Sequence, residues 1–237
     1  RQTSGLSNSF VGNTTFEVTL AEGLTFKTLL GLEYGHNLTD YYEPIIFDSD
    51  RGVGSQSTFY RNSFLNENTL SYVKTFNEVH SLNVVAGYTY QTDMSRSFGI
   101  SVNGFSNNTT RNYNLAAAEI IGTPSSGFSE WVLASWLGRV NYTFNDKYLL
   151  TASVRTDGSS RFGANNRWAT FPSLALGWWV SEESFMQDQS LVSDLKLRAS
   201  YGKTGNTALS PYQSLDRMGS VRVVYGNQTD EVGFSPS

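Results

Sequence analysis

The chain has no cysteine, which removes disulfide scaffolds, thiolate metal sites and cysteine nucleophiles together. It also lacks any apolar run of about 18 residues, so no transmembrane helix is encoded. Membrane β-strands stay open, because lipid-facing and lumen-facing residues alternate within them and average to modest hydropathy. The only histidines are His36 and His80, both in strand-like segments without a carboxylate cluster, and no metal or other cofactor is expected. Charge is scarce as well, at 16% of residues, which argues against a disordered tail. A net charge of -4 leaves no basic footprint, and nucleic acid is not an expected partner. Arg1 to Ser9 has no Met, basic region or apolar core, so it is not a secretory signal and more sequence is expected upstream.

Aromatics and glycine are plentiful: 15 Phe, 13 Tyr, 5 Trp and 21 Gly in 237 residues. Their spacing has a period of two. Phe10, Thr14, Phe16, Val18 and Leu20 share one face of a strand over 10–20, against Val11, Asn13, Thr15, Glu17 and Thr19. A turn at 21–23 leads to a strand over 24–35, with Phe26, Leu30, Leu32 and Tyr34 opposite Lys27, Gly31, Glu33 and Gly35. Weaker alternation covers 59–73, and 74–78 reads as a short turn. His80, Leu82, Val84, Ala86, Tyr88 and Tyr90 then oppose Ser81, Asn83, Gly87, Thr89 and Gln91. Alternation is lost over 94–130 apart from Phe98, Ile100 and Val102, and 116–118 reads as a short helix or as irregular chain. It returns with Trp136, Val140, Tyr142 and Phe144 against Arg139, Asn141 and Thr143, then with Tyr148, Leu150, Ala152 and Val154 after a turn at Asn145-Asp146. Further strands are expected over 171–180 and 195–201, joined by a polar connection with a helical turn near 182–186.

Connection lengths add a direction. Short joins at 21–23, 74–78 and 145–146 alternate with long ones at 37–57, 94–130 and 157–170; only 181–193 is long out of turn. Outer-membrane barrels have short periplasmic turns and long external loops, whereas a soluble sandwich has no reason to keep this rhythm. One face is apolar and aromatic; the other mixes Gly, Ser, Asn and Thr with isolated charges, as a lumen requires. The pattern predicts an all-β, antiparallel transmembrane β-barrel segment of about eight to nine strands, with the C-terminal region from 205 as loop.

Several short motifs carry no chemistry. Ser193-Asp194-Leu195-Lys196 and Lys203-Thr204-Gly205 mimic penicillin-binding signatures but lie too close together. Gly202-Lys203-Thr204 lacks the Gly-rich nest of a phosphate loop. Asp48-Ser49-Asp50-Arg51-Gly52 resembles a calcium loop, yet Gly52 stands where an oxygen ligand belongs and no Glu closes it. Sequons at Asn13, Asn37, Asn107, Asn108, Asn141 and Asn227 are expected by chance in an Asn- and Thr-rich chain. Glu130, Asp157 and Glu182 are too scattered to form a glycosidase pair, and no enzymatic activity is expected.

The informative stretch runs from Arg155-Thr156-Asp157-Gly158 through Arg161-Phe162-Gly163 to Arg167-Trp168. Asp157-Gly158 is suited to reversing the chain, and Arg155, Asp157, Arg161 and Arg167 to an ion-pair network pinning a loop to a barrel rim. Trp168 and Phe162 offer platforms for sugar faces; the plainer reading is loop scaffolding without ligand contact.

The run LGRVNYTFNDKYLLTASVRTDGSSRFGANNRWATFPSLALGWWVSEESFM (137–186), followed by SDLKLRASYGKTGN (193–206), closely resembles the barrel of the SusC/RagA family of TonB-dependent outer-membrane transporters. The resemblance implies part of a barrel of about 22 strands around a plug, with residues 1–237 a partial barrel domain lacking the plug and the amino-terminal regions. It further implies import of oligosaccharides or peptides across the outer membrane of a Gram-negative bacterium, of the Bacteroidota. The implied partners are the remaining barrel and plug, a SusD-like surface lipoprotein, TonB acting through the missing amino-terminal region, and the lipid bilayer with its lipopolysaccharide. Arg155, Asp157, Arg161, Arg167 and Trp168 match the family's DGSSRFG...RW stretch and carry over as rim or loop residues, structural or ligand-touching, without catalytic roles. Two rivals stay open: a small closed outer-membrane barrel serving as anchor or adhesin, and a secreted carbohydrate-binding β-domain. Pairing of the first strand with 196–201 would favour the closed barrel, against which the end at 232–237 offers no closing strand.

Overall fold

A computed structural model describes residues 1–46, 51–186, 192–215, 218–225 and 229–236, the last two ranges by their backbone. Asp48 to Asp50 of the calcium-like loop and the Asn227 sequon lie outside these residues. In chain order the strands are β1 (Gln2–Ala21), β2 (Leu24–Glu43), β3 (Val53–Phe76), β4 (His80–Phe105), β5 (Ala118–Ile121), β6 (Ser125–Phe144), β7 (Tyr148–Ser159), β8 (Trp168–Trp179), β9 (Lys196–Gly202), β10 (Met218–Tyr225) and β11 (Thr229–Pro236). The first nine form one antiparallel sheet in the order β1-β2-β3-β4-β6-β7-β8-β9, with the short β5 added to β4 above the start of β6.

Consecutive strands pair because their connections at one end are tight. Gly23 turns β1 into β2 with φ +76°, and a Cβ there would collide with the Val73 carbonyl oxygen, which requires glycine. Asn77-Glu78 and Asn145-Asp146 both adopt left-handed backbone, which Asn and Asp tolerate and which matches the twist of a hairpin. At the other end the joins are longer, so the alternating rhythm of the connections is present in the structure.

Strand boundaries at that longer end differ from the expected ones. The loop expected over 37–57 shrinks to 44–52, that over 94–130 to 106–124, and that over 157–170 to 160–167. Asp157-Gly158 therefore does not reverse the chain; both residues pair within β7. Hydrophobic alternation reports burial, and β1 to β4 keep pairing above the level where their faces stop alternating. The 116–118 segment divides into a 3-10 turn, Leu115–Ala117, and the start of β5. Further 3-10 turns, Val180–Glu182 and Ser184–Met186, fall where a helical turn is expected. The region from 205 is not all loop: β10 and β11 form a hairpin of their own. Its strand over 229–236 corrects the expectation of an end without one, yet it pairs with β10 and not with β1.

The sheet is a single layer. β1 pairs only with β2, and β9 only with β8, so neither a closed eight-stranded barrel nor a two-sheet sandwich is formed by the described residues. Both rival folds fail on that point. Trp136 is 58% exposed and Phe16 58%, values that a soluble domain core would not leave.

Register separates the two faces. Rows of paired residues such as Leu24, Tyr72, Val84, Val140, Ala152, Leu174 and Tyr201 lie on one face. The adjacent row, Thr25, Ser71, Val85, Arg139, Ser153, Ser173 and Gly202, lies on the other. We call the first face outward and the second inward. The outward face begins at the short-turn end with Phe76, His80, Phe144, Tyr148 and Trp178, an aromatic girdle, and turns polar near Glu130 and Arg96. From Phe144 up to Glu130 along β6 is about 46 Å at about 3.3 Å per residue, or about 33–35 Å of height at the usual barrel tilt. That matches an apolar band with its two interfaces.

The strands continue well past this band. β4 has 26 residues where a membrane crossing needs about 9–11. In this extension Tyr42, Val102, Phe105 and Ala118 form a small buried cluster with Ile45, Ile100 and Leu115. Segment 106–117 folds onto it: Asn108 accepts from the Tyr42 hydroxyl at 2.7 Å and from the Ile45 amide at 2.9 Å. The longest join is thereby an ordered structure.

Candidate functional site

The inward face is built from side chains that hydrogen-bond to one another along and across strands. Arg61 on β3 reaches down to Asp93 on β4, Nε to Oδ2 at 2.9 Å, while its Nη1 stands 3.9 Å from Glu33 Oε1 on β2. Asp93 is buried, so its carboxylate depends on this guanidinium. Glu17 lies opposite Lys27, and Thr151 donates to Asn141 Oδ1 at 2.9 Å. Acidic and basic groups alternate across this wall, which gives a hydrogen-bonding surface without a single-sign field.

The five residues singled out by sequence divide into separate places. Arg155 and Asp157 come together on the inward face of β7: Arg155 Nε donates to Asp157 Oδ1 at 2.7 Å, and its Nη2 to the buried Ser135 Oγ at 3.2 Å. Arg161 leaves that pair. Its guanidinium lies 4.3 Å from the centre of the Trp131 ring, a cation–π contact, and its Nε is buried without a hydrogen-bond partner. Arg167 acts through its backbone, its carbonyl accepting from the Ser159 amide at 2.9 Å. The expected four-member ion network is thus one ion pair, one cation–π contact and one backbone bond. Arginines spaced along a loop are carried to different sides by its 3-10 turn at Ala164–Asn166.

Trp168 faces outward. It is paired with Gly158, and its indole covers that glycine on the face away from the lumen. Phe162 lines a rim cavity of about 410 Å³ together with Trp131, Arg167 and Tyr212. The Tyr212 hydroxyl accepts from the Glu130 amide at 3.1 Å, and Ser160 bonds Val132 in both directions, Oγ accepting at 2.9 Å and the amide donating at 3.0 Å. Loop 160–167 is therefore stitched to the free upper edge of β6. Sequence reasoning missed Trp131, Ser135 and Tyr212 in this rim, and the Glu33, Arg61 and Asp93 network. Alternation is too weak over 59–73 to place Arg61, and only the register of β3 on β4 brings it within reach of Asp93.

No group of His, Cys, Asp or Glu suited to a metal occurs among the described residues. Glu130 has outward parity and Asp157 inward parity, and Glu182 sits at the opposite end of the sheet, so these carboxylates cannot flank one glycosidic bond.

At the short-turn end Glu183 accepts from the Tyr148 hydroxyl at 2.6 Å and from Trp178 Nε1 at 3.0 Å, with Lys147 Nζ at 3.5 Å. The Tyr148 and Trp178 hydrogen bonds hold its carboxyl below the usual carboxylate range. This clip fixes segment 180–186 against the girdle.

An open antiparallel sheet with an apolar girdled face, a polar ion-paired face and long strands that overrun the band is a wall of a large membrane β-barrel. The comparisons with known proteins say which kind. The sequence profile described as "TonB dependent receptor-like, beta-barrel" matches residues 1–232, and the chain belongs to that family. TonB-dependent receptor P3 of Formosa agariphila is 39% identical over 210 residues, covering 87% of this chain and 21% of the relative. TonB-dependent receptor SusC of Bacteroides thetaiotaomicron is 56% identical over 73 residues, 31% of this chain and 7% of the relative. Among solved structures, that of the RagAB peptide transporter superposes with a TM-score of 0.87 at 26% identity, covering 99% of this chain and 26% of its own. The chain thus spans about a fifth of the curated relatives' length, and the SusC/RagA-type resemblance read from 137–206 holds.

Proposed function

We propose that this chain is one wall of a TonB-dependent importer in a bacterial outer membrane, moving oligosaccharides or peptides through its lumen. The observation that carries the reading is the division of one sheet into an outward aromatic face and an inward face of paired opposite charges. A wall of balanced donors and acceptors suits an uncharged or zwitterionic polymer that exchanges water hydrogen bonds for protein ones as it passes. Its relatives, receptors and a peptide transporter among them, support the same reading.

The remaining barrel, the plug, TonB and a SusD-like surface lipoprotein complete the proposed machine, the lipoprotein meeting the long-join end. There the extended strands and the ordered 106–124 connection form a raised lip. Arg155, Asp157, Arg161 and Arg167 hold the rim at β6 to β8 and act as scaffolding; Trp168, on the outward side, belongs to the upper interface with lipopolysaccharide.

The test is uptake by the intact parent in cells supplied with a single oligosaccharide or peptide as nutrient. Deleting the parent should abolish growth on one nutrient class and spare monomers that cross other channels. Unchanged growth on every oligosaccharide and peptide would sink the reading.

A further inference from the structure

One polar cluster lies on the outward face, opposite the inward wall. Lys74 on β3 and Tyr142 on β6 flank Leu82 of β4 in a single register row, and His80 stands on the same face one step closer to the turns. Lys74 is exposed and makes no ion pair with the described residues, although it points to the face that is otherwise apolar. His80 Nδ1 and the Tyr142 hydroxyl are 2.7 Å apart. Whichever of them donates, one proton is left over: the Tyr142 O–H if the ring donates, or the ring Nε2–H if the hydroxyl donates. A cation and a spare donor therefore meet beside the girdle.

His80 and Tyr142, with Lys74 one strand beyond His80, border a groove of about 1010 Å³ that runs over Phe144, Leu150, Leu176 and Trp178 to Arg198 at the edge strand. Its size is at the upper end for ligand pockets, and its walls are mostly apolar, with Arg198 the one charged residue lining it. The aromatic girdle fixes its depth at the interface of the leaflet nearest the short turns, where lipid phosphates lie. Lys74, two residues inside the Phe76 row, is placed to snorkel toward that level.

We propose that this place is a specific site for one glycerophospholipid of the periplasmic leaflet. Its phosphate diester sits between Lys74 and the His80 and Tyr142 pair, and an acyl chain fills the groove over Leu150 and Leu176. The assignment rests on the outward face being the lipid face. Charge complementarity selects the occupant: a cation at the phosphate level favours an anionic head, and the adjoining groove requires that the head carry a chain, which free phosphate lacks.

The experiment uses the intact parent transporter in maltoside micelles, titrated with dioleoylphosphatidylglycerol and read by native mass spectrometry. One lipid should bind ahead of the rest, and Lys74→Gln should weaken that first event about five-fold. Lys203→Gln, beyond the far end of β9, should leave it unchanged. If Lys74→Gln fails to assemble, Leu176→Trp, which fills the groove and keeps the lysine, should likewise remove the first lipid. Several equivalent lipids indifferent to both changes would overturn the site, as would displacement of the lipid by millimolar inorganic phosphate. Tryptophan quenching by brominated lipid separates the two failures: quenching retained with no preferred lipid overturns the site alone, whereas no quenching in any variant overturns the face assignment beneath it.

Discussion

Trp168 on β8 lies flat over its register partner Gly158 on β7, so closely that a Cβ at 158 would stand 2.7 Å from three atoms of the indole. The glycine is buried by a tryptophan that is itself 56% exposed. The ring is thus fixed at the top of the outward face by the absence of a side chain beneath it. In the intact parent, Gly158→Ala should cost about 1–3 kcal/mol by overpacking. Gly158→Ala with Trp168→Ala should recover most of that loss. Thermal loss of the heat-modifiable folded band measures both, and equal damage in single and double variants would count against the contact.

The Arg61 and Asp93 pair gives a second test, on the inward face. Asp93 is buried and Arg61 half exposed, so removing the guanidinium leaves a carboxylate with little water, at a cost discounted to about 1–3 kcal/mol. Arg61→Met should therefore destabilise the assembled barrel, and Arg61→Met with Asp93→Leu should be closer to wild type than the single change. The comparison is made by unfolding in lipid. A double variant worse than the sum of the singles would show that the pair does not act as a unit.

How much of this was legible beforehand depends on which physical signal a residue carries. Val140, Tyr142 and Phe144 announced their face because lipid exposure enforces alternation, and the turns at Gly23 and Asn145-Asp146 announced themselves through backbone chemistry. Residues 37–43 and 94–105 did not, since above the band no lipid enforces alternation and burial is local to Tyr42, Val102 and Phe105 beneath segment 106–117, while their backbone pairing continues. The rim fared worst. Arg155 and Asp157 are two apart on one strand face and were bound to be neighbours, but Arg161 finds Trp131 across a loop whose path no period encodes. Trp168 was assigned to the rim with its neighbours, yet parity counted from Gly158 puts it outward.

The Glu183 clip predicts a pH response at the short-turn end. Its carboxyl is held below the ordinary glutamate value of about 4.3 by the Tyr148 and Trp178 donors. A group depressed in the folded state stabilises fully above its unfolded pKa, and that contribution is lost as pH falls through the lower folded value. Segment 180–186 should accordingly stay docked from neutrality down to about pH 4 and loosen below it. The hydrogen-exchange protection of residues 180–186, taken relative to the intrinsic rate at each pH, should fall only in that acid window. In Glu183→Gln protection should be low at every pH, without that step.

Import preference should follow the long-join end. Segment 106–124 is ordered over Tyr42, Val102 and Phe105 and stands above the band, so it can meet ligand without supporting the membrane wall. Replacing 106–124 in the parent by a relative's segment should shift the ratio of uptake rates between two oligosaccharides or two peptides. Replacing the turn at 77–79 should leave that ratio unaltered. Retained preference after the first exchange, measured with equal surface expression, would place selectivity elsewhere.

Every one of these tests assumes the two faces are assigned correctly, and adjacent residues of β6 decide that directly. Val140 is outward, in register with Val84 and Ala152; Asn141 is inward, accepting from Thr151 Oγ1 at 2.9 Å. Val140 lies four residues above the girdle at Phe144, inside the apolar band but below its middle. Lys at 140 should destabilise the parent by up to about 2–4 kcal/mol, the range for a lysine at the bilayer midplane, with the lower end expected at this depth. Lys at 141 enters a surface that already holds Arg139 and should cost well under that, mainly the lost bond to Thr151. Reversible unfolding in lipid gives both values from one series. Equal costs, or the larger cost at Asn141, would reverse the faces. Brominated lipid adds an independent reading, because Trp136 shares the outward parity of Val140 and is open on that side. Its emission should be quenched by bromine on the acyl chains, and a water-soluble quencher should reach it poorly once the barrel is in a bilayer.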